Sequence, residues 1–281
     1  MKRIHVDQIE KAIEEMCIEA NYVLPVDVKN EIYEAMKTPA TELEARTLEI
    51  MLKNIEMAET QQMAICQDTG MVIVYITMGQ NTCIEGGYIE DAIHRGVAAG
   101  YEKGYLRKSI VKDPILRENT KNNCPAVIHY RLVPEDCFRL TLSVKGFGSE
   151  NASQLKMLKP SDGVEGIVDF VTSSVIEKAP NACAPLVVGV GIGGTFEKVA
   201  ALAKQALMRP LKQAHPESHI QNLEETLLQK INDSGVGPMG FGGNTTALAV
   251  HIETYPTHIA GLPVAVNICC YLNRHVTRSL L

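Results

Sequence analysis

The chain has 281 residues, 46% of them hydrophobic and 21% charged, which is the balance of a globular protein with ample apolar content for a core. A net charge of -6, with no basic run, excludes a protein that tracks a nucleic-acid backbone. The longest apolar runs, such as Pro185 to Val190, are far too short to span a bilayer.

The first third reads helical. Asp7 and Glu10 have capping-box spacing, and Ile9, Ile13, Met16, Cys17 and Ala20 then fall on one helix face. Pro25 is placed to open a second helix through about Lys37. Thr41 and Glu44 repeat the capping pattern before a long helix to about Met63. Cys66-Gln67-Asp68-Thr69-Gly70 reads as a turn leading into a buried strand from Met71, and 87–104 reads as another helix. Val127–Val133 and Phe138–Lys145 are strand-like and separated by Pro134-Glu135-Asp136-Cys137, which predicts a β-hairpin. Helices over 162–177, 195–208 and 220–231 and strands over 186–190, 245–253 and 264–269 complete the chain. There is no internal repeat and no regular alternation of strand and helix. The expected fold is α+β, a helical N-terminal layer packed with a mixed or antiparallel sheet, in one large domain over 1–281.

The N-terminus runs straight into a polar helix without the apolar core of a signal peptide, so the expected location is cytoplasmic. There the eight cysteines should be thiols, and none is spaced C-x-x-C. Most cysteines are simply small buried hydrophobes. Cys66, Cys183 and Cys270 differ in setting, each lying at the end of a regular element beside turn-forming or hydrogen-bonding residues. Three separated thiols of this kind can hold an iron–sulfur cluster and leave one iron open for Lewis-acid chemistry. Cys269 competes with Cys270, because adjacent residues of a strand face opposite ways.

Other segments have two readings. Gln67 can bind a carboxylate and Asp68 can order a hydrogen-bond network, or Asp68-Thr69-Gly70 is only a turn. The loop Lys145 to Asn151 can wrap an anion through its N–H groups, or its glycines only shape a strand exit. Arg107 can clamp a carboxylate with its fork, or it is a solvated surface side chain. Gly189-Val190-Gly191-Ile192-Gly193-Gly194 matches G-x-G-x-x-G, but no second strand ending in an acidic residue follows at dinucleotide-fold spacing.

Taken together and in order, five segments resemble the α subunit of class I fumarate hydratase and L(+)-tartrate dehydratase. They are Cys66–Gly70, Lys145–Asn151, Cys183 through Gly191-Ile192-Gly193-Gly194-Thr195, Gly240–Thr245 and Leu262–Asn267. The resemblance covers essentially the whole chain. It implies a [4Fe-4S] cluster on Cys66, Cys183 and Cys270. It also implies a dicarboxylate bound near Gln67, Asp68, Arg107 and Gly148, with Asp68 and Gln67 as this chain's catalytic candidates. The reaction it implies is the reversible hydration of fumarate to L-malate, a step of the tricarboxylic acid cycle. The alternatives are dehydration of L-tartrate to oxaloacetate, or a glycine-loop nucleotide-binding protein without a cluster. The family's single-chain members carry a further domain, so this chain is expected to pair with a β subunit that supplies the catalytic base, in an α2β2-type assembly.

Overall fold

The computed structural model describes residues 2–281. From the N-terminus the elements are β1 (Lys2–His5), α1 (Val6–Tyr22), α2 (Val26–Lys37), α3 (Glu42–Gln61), β2 (Met71–Gly79), β3 (Thr82–Glu85), α4 (Ile89–Lys103), β4 (Val127–Val133) and β5 (Phe138–Lys145). A single helical turn, α5 (Phe147–Glu150), precedes β6 (Gln154–Leu158), α6 (Gly163–Lys178), β7 (Leu186–Gly193), α7 (Phe196–Ala206) and α8 (Ser218–Asn232). The chain closes with β8 (Ala247–Tyr255), β9 (Leu262–Cys269) and β10 (Arg274–Ser279). The class is α+β, as the sequence implies.

Two of the N-terminal helices begin at side-chain caps. At α1 the cap is two residues earlier than the sequence suggests. His5 Nδ1 accepts from the Asp7 N–H and Gln8 Oε1 accepts from the His5 N–H, so His5 and Gln8, not Asp7 and Glu10, form the box. At α3 the expected pair is present, with the Glu44 N–H donating to Thr41 Oγ1 at 3.0 Å.

The chain forms two compact units. The first takes the chain up to Pro25, Asn54–Phe147 and Arg274–Leu281. Its sheet has the order β10-β5-β2-β4, and a separate parallel pair joins β1 to β3. Helices α1 and α4 supply apolar stripes, with Ile9, Ile13, Met16, Ile93 and Val97 buried against Val72, Val74, Leu140 and Leu142. The expected β4–β5 hairpin does not form. β2 lies between them, parallel to β4 (Ile73 beside Val127) and antiparallel to β5 (Met71 beside Lys145). Alternation shows that both segments are strands, but pairing is set by a third strand some 50 residues upstream, which no local pattern encodes.

The second unit takes Val26–Lys53 and Gly148–Asn273, and its sheet has the order β6-β9-β7-β8. β7 is antiparallel to β9 and parallel to β8. α6 and α8 bury Val171, Val175, Leu227 and Ile231 against Val188, Val190 and Ile268. α7 packs on β7 with little intervening space. A Cβ on Gly189 would lie 2.1 Å from the Ala203 carbonyl, and one on Gly191 would lie 2.2 Å from that of Val199. These two glycines of the G-x-G-x-x-G match admit the helix backbone.

Candidate functional site

The first unit holds the turn that carries Cys66. Nearly every residue of the turn is tied down from outside. The Ile65 N–H donates to the Asn21 carbonyl at 2.9 Å, and the Ile65 carbonyl accepts from Asn54 Nδ2 at 3.0 Å. The Asp68 carboxylate accepts from the N–H groups of Gly70 at 2.9 Å and Phe147 at 2.8 Å. The Asp68 carbonyl accepts from Arg274 at 2.9 Å. The buried Tyr101 hydroxyl donates to the Thr69 carbonyl at 2.5 Å, and Asn123 Nδ2 to that of Gly70 at 3.2 Å. Burial pushes the Tyr101 hydroxyl well above its ordinary range, so it stays a donor at any physiological pH. Cys66 and Gln67 are the exception. The contact between Cys66 Sγ and Gln67 Oε1, at 3.8 Å, joins them to each other; Gln67 is exposed and Cys66 half-buried.

The turn therefore behaves as the bland sequence reading expects, with Asp68 bonding backbone, and it also presents a thiol and an amide. Gly70 makes the shape possible. Its φ is +67°, and a Cβ there would sit 2.8 Å from the Lys145 carbonyl carbon and oxygen. Arg107 belongs to the same neighbourhood through its main chain, because Thr69 Oγ1 donates to its carbonyl at 2.6 Å. Its side chain is exposed.

The second unit holds the other two thiols. Cys183 is exposed between Ala182 and Ala184, which are 1% and 0% exposed. Its φ of +54° is uncommon for a side chain with a Cβ, and such conformations cluster at functional sites. Strand β9 ends at Cys269, opposite Val187 of β7. The Tyr271 N–H then donates to the Cys183 carbonyl at 3.4 Å, which brings the residue after Cys270 onto the Cys183 turn. Cys269 is 3% exposed and its thiol contacts the Leu272 carbonyl, whereas Cys270 is half-buried.

Gly148 also belongs to the second unit. It is exposed, and a Cβ there would meet nothing within 4 Å, so another group can approach its backbone closely. The turn α5 is held from behind, where the Glu150 carboxylate accepts from Lys204 at 2.5 Å and Asn267 Nδ2 at 3.1 Å. The segment Gly243-Asn244-Thr245 is tied to a buried carboxylate, since Glu44 accepts from the N–H groups of Asn244 and Thr245 as well as Ala40.

Four of the seven candidate residues (Cys66, Gln67, Asp68 and Arg107) thus lie together in one unit, and Cys183, Cys270 and Gly148 lie in the other. Among the described residues no three His, Cys, Asp or Glu side chains converge to hold a single metal ion. A cluster distributes its thiolates over separate irons and does not need that convergence. The remaining cysteines are poorer candidates. Burial pushes the thiols of Cys17 and Cys124 up, Cys124 to about 11. Cys137 and the β3 residue Cys83 lie toward the Gly79 end of β2, the end away from the Cys66 turn.

Sequence reasoning overlooked the polar residues that hold these loops. Asn21, Tyr101, Asn123 and Arg274 are all buried, as is Glu44, which the sequence shows only as part of a helix cap. Asn21 and Tyr101 sit on helix faces, where a polar face and a core-facing polar residue look alike in one sequence.

The chain matches the fumarate hydratase (Fumerase) family over residues 10–279. It is 40% identical to a Methanocaldococcus jannaschii protein provisionally named L(+)-tartrate dehydratase subunit alpha, over 97% of this chain and 98% of that one. It is 29% identical to the L(+)-tartrate dehydratase subunit alpha of Escherichia coli K12, over 90% of this chain and 84% of that one. With the family matched over nearly its whole length, the chain belongs to the fumarate hydratase family and is a hydro-lyase.

Proposed function

We propose that this chain is the α subunit of a [4Fe-4S]-dependent hydro-lyase that interconverts fumarate and L-malate, with Cys66, Cys183 and Cys270 as cluster ligands. The observation that carries the reading is the presentation of these three thiols. Cys66 is the unanchored centre of an anchored turn, Cys183 projects between two buried alanines, and Cys270 follows a buried neighbour. Thiolates are the protein ligands that such clusters take, so the donor set fits.

When bound, the cluster would supply an iron with an open position, a Lewis acid that makes hydroxide a better leaving group. The chain's own residues bind and orient. Arg107 offers a planar fork that takes a carboxylate bidentately. Gln67 offers an amide donor, and the backbone at Gly148 is open to the approach of a carboxylate. Asp68, fixed by two N–H bonds, is an oriented acceptor for the substrate hydroxyl or a neighbouring donor. In the malate-to-fumarate direction the C–O bond breaks, a proton leaves the adjacent carbon, the double bond forms and water departs. The base for that proton belongs to the β subunit, in an α2β2-type assembly. The location we propose is cytoplasmic; no described helix is long and apolar enough to cross a membrane.

A second reading, dehydration of L-tartrate to oxaloacetate, is favoured by the names of the relatives. The test is anaerobic co-expression with the β subunit, followed by iron analysis, visible absorption and assays on fumarate, L-malate and L-tartrate. A brown, iron-containing protein active on one of them supports the proposal, and the preferred substrate separates the readings. A colourless protein that takes up no iron on anaerobic reconstitution with its partner overturns both.

A further inference from the structure

Arg274 opens β10 and is only 2% exposed. Its guanidinium bridges two neutral oxygens, one terminal nitrogen donating to Asn21 Oδ1 at 3.0 Å and the other to the Asp68 carbonyl at 2.9 Å. Its Nε is buried without a hydrogen-bond partner. Taking a guanidinium out of water onto neutral acceptors is costly, and hydrophobic replacements of buried charges are often as stable or more so. Packing alone therefore does not account for an arginine here.

Asn21 is itself completely buried and triply used. Its carbonyl accepts from the Ile65 N–H, its Nδ2 donates to the Cys17 carbonyl and its Oδ1 accepts from Arg274. Asn21 and Arg274 thus grip the chain at Ile65 and at Asp68, the residues on either side of Cys66 and Gln67. The Ile65 anchor rests on main-chain atoms of α1 and Thr69 is held by Tyr101, so the turn can persist without Arg274. Arg274 holds the Asp68 carbonyl, and so the peptide plane directly after Cys66, Gln67 and Asp68.

We infer that Arg274 is the positioning residue of the Cys66 turn, fixing through Asn21 and the Asp68 carbonyl how Cys66 and Gln67 are presented to the cluster and substrate. The inference rests on the proposed cluster function. The two acceptors are met by two separate terminal nitrogens of a planar fork, whereas a lysine would have to reach both from a single nitrogen.

The test uses the full chain with its β subunit and the variants Arg274→Met and Arg274→Lys. Arg278→Met, on the same strand as Arg274, removes the surface pairing of Arg278 with Glu15 and Glu19 of α1 and is the control. Three quantities are read: cooperative thermal unfolding, survival of cluster absorbance in air after anaerobic loading, and alkylation of each cysteine in cluster-free protein by peptide mass spectrometry. The expected result for Arg274→Met is a folded protein that loses its cluster about tenfold faster and whose Cys66 is alkylated about tenfold faster, the scale of one lost buried charge-assisted bond. Cys183 and Cys270 should keep their wild-type alkylation rates. Lysine should restore part of each effect, and Arg278→Met should show neither.

Wild-type cluster survival and Cys66 reactivity in folded Arg274→Met would overturn the inference, as would complete rescue by lysine. If Arg274→Met does not fold, Asn21→Leu removes the same bridge from the other side. It must then raise Cys66 reactivity selectively, or the inference fails. If the wild-type chain binds no iron, the cluster proposal has failed, and the alkylation rates still decide whether Arg274 positions Cys66.

Discussion

The main-chain N–H of Tyr271 donates to the carbonyl oxygen of Cys183 at 3.4 Å. Two segments 88 residues apart in sequence (271 - 183 = 88) are thereby joined at one end of the β7–β9 ladder, whose register sets Cys269 opposite Val187. Strand alternation then decides which cysteine of the adjacent pair is presented: Cys269 turns into the core and Cys270 does not.

Cysteine-to-serine variants should separate ligands from core. Cys66→Ser, Cys183→Ser and Cys270→Ser should each lose cluster iron, with activity down at least about a hundredfold, as expected when Lewis-acid assistance is removed. Cys269→Ser should keep its iron and lose about 1–3 kcal/mol of stability from the buried hydroxyl. Iron stoichiometry and thermal denaturation read the two effects separately. Full iron content in Cys270→Ser would transfer the ligand role to its neighbour.

Two glycines should respond in opposite ways. Gly70→Ala meets both a left-handed φ and the Lys145 carbonyl, so it should cost more than about 1 kcal/mol and lower the melting temperature by several degrees. Gly148→Ala meets nothing within 4 Å and should melt like the wild type. Its expected defect is a raised KM, because in the proposed site the methyl group would occupy space open to substrate.

Arg107→Lys tests the carboxylate clamp. The side chain is exposed, so thermal stability should not change. A lysine keeps the charge and loses the fork, and KM should rise about tenfold with a smaller change in kcat. An unchanged KM would place substrate binding elsewhere.

Glu44→Ala should destabilise the second unit strongly. The buried carboxylate accepts N–H groups from Ala40, Asn244 and Thr245, and its loss leaves the buried Thr245 donor unsatisfied and frees the part-buried donors of Ala40 and Asn244. The expected cost is about 2–4 kcal/mol, read by denaturant unfolding.

His251 gives the fold a pH dependence with a definite sign. It is buried on β8, and burial first, with the nearby Arg209 charge second, lowers its pKa below the ordinary value of 6.5. The unfolded chain therefore binds a proton at a higher pH than the folded one. The stabilising contribution is complete above about pH 6.5 and is lost as pH falls from there through the lowered value. His251→Gln should flatten this part of the stability profile, measured by denaturant midpoints between pH 7.5 and 5 on the order of that window.

Much of the molecule was legible one element at a time. The apolar stripe of α1, the Thr41–Glu44 cap of α3 and the run from Met71 into β2 are local signals, because helix period, capping and strand alternation act over a few residues. The β4–β5 hairpin is where that logic ended. Two strands next to each other in sequence were parted by β2, because the pairing that buries the most apolar surface is a property of the whole sheet. The G-x-G-x-x-G stretch shows the same limit. Its spacing invites a phosphate, but Gly189 and Gly191 exist for the close approach of α7.

By itself the sequence determined the α+β class, the boundaries of the longer elements to within a few residues though not the strands β1, β3, β6 and β10, the membership suggested by five ordered motifs, and a short set of cysteines. Those are consequences of local chemistry and of motif order. Only the tertiary structure decided that the Cys66 turn hangs from Asn21, Tyr101 and Arg274, that Cys183 projects where its neighbours are buried, and that Cys269 faces inward. Burial and hydrogen-bond partners come from residues far apart in the chain, so no local pattern can state them.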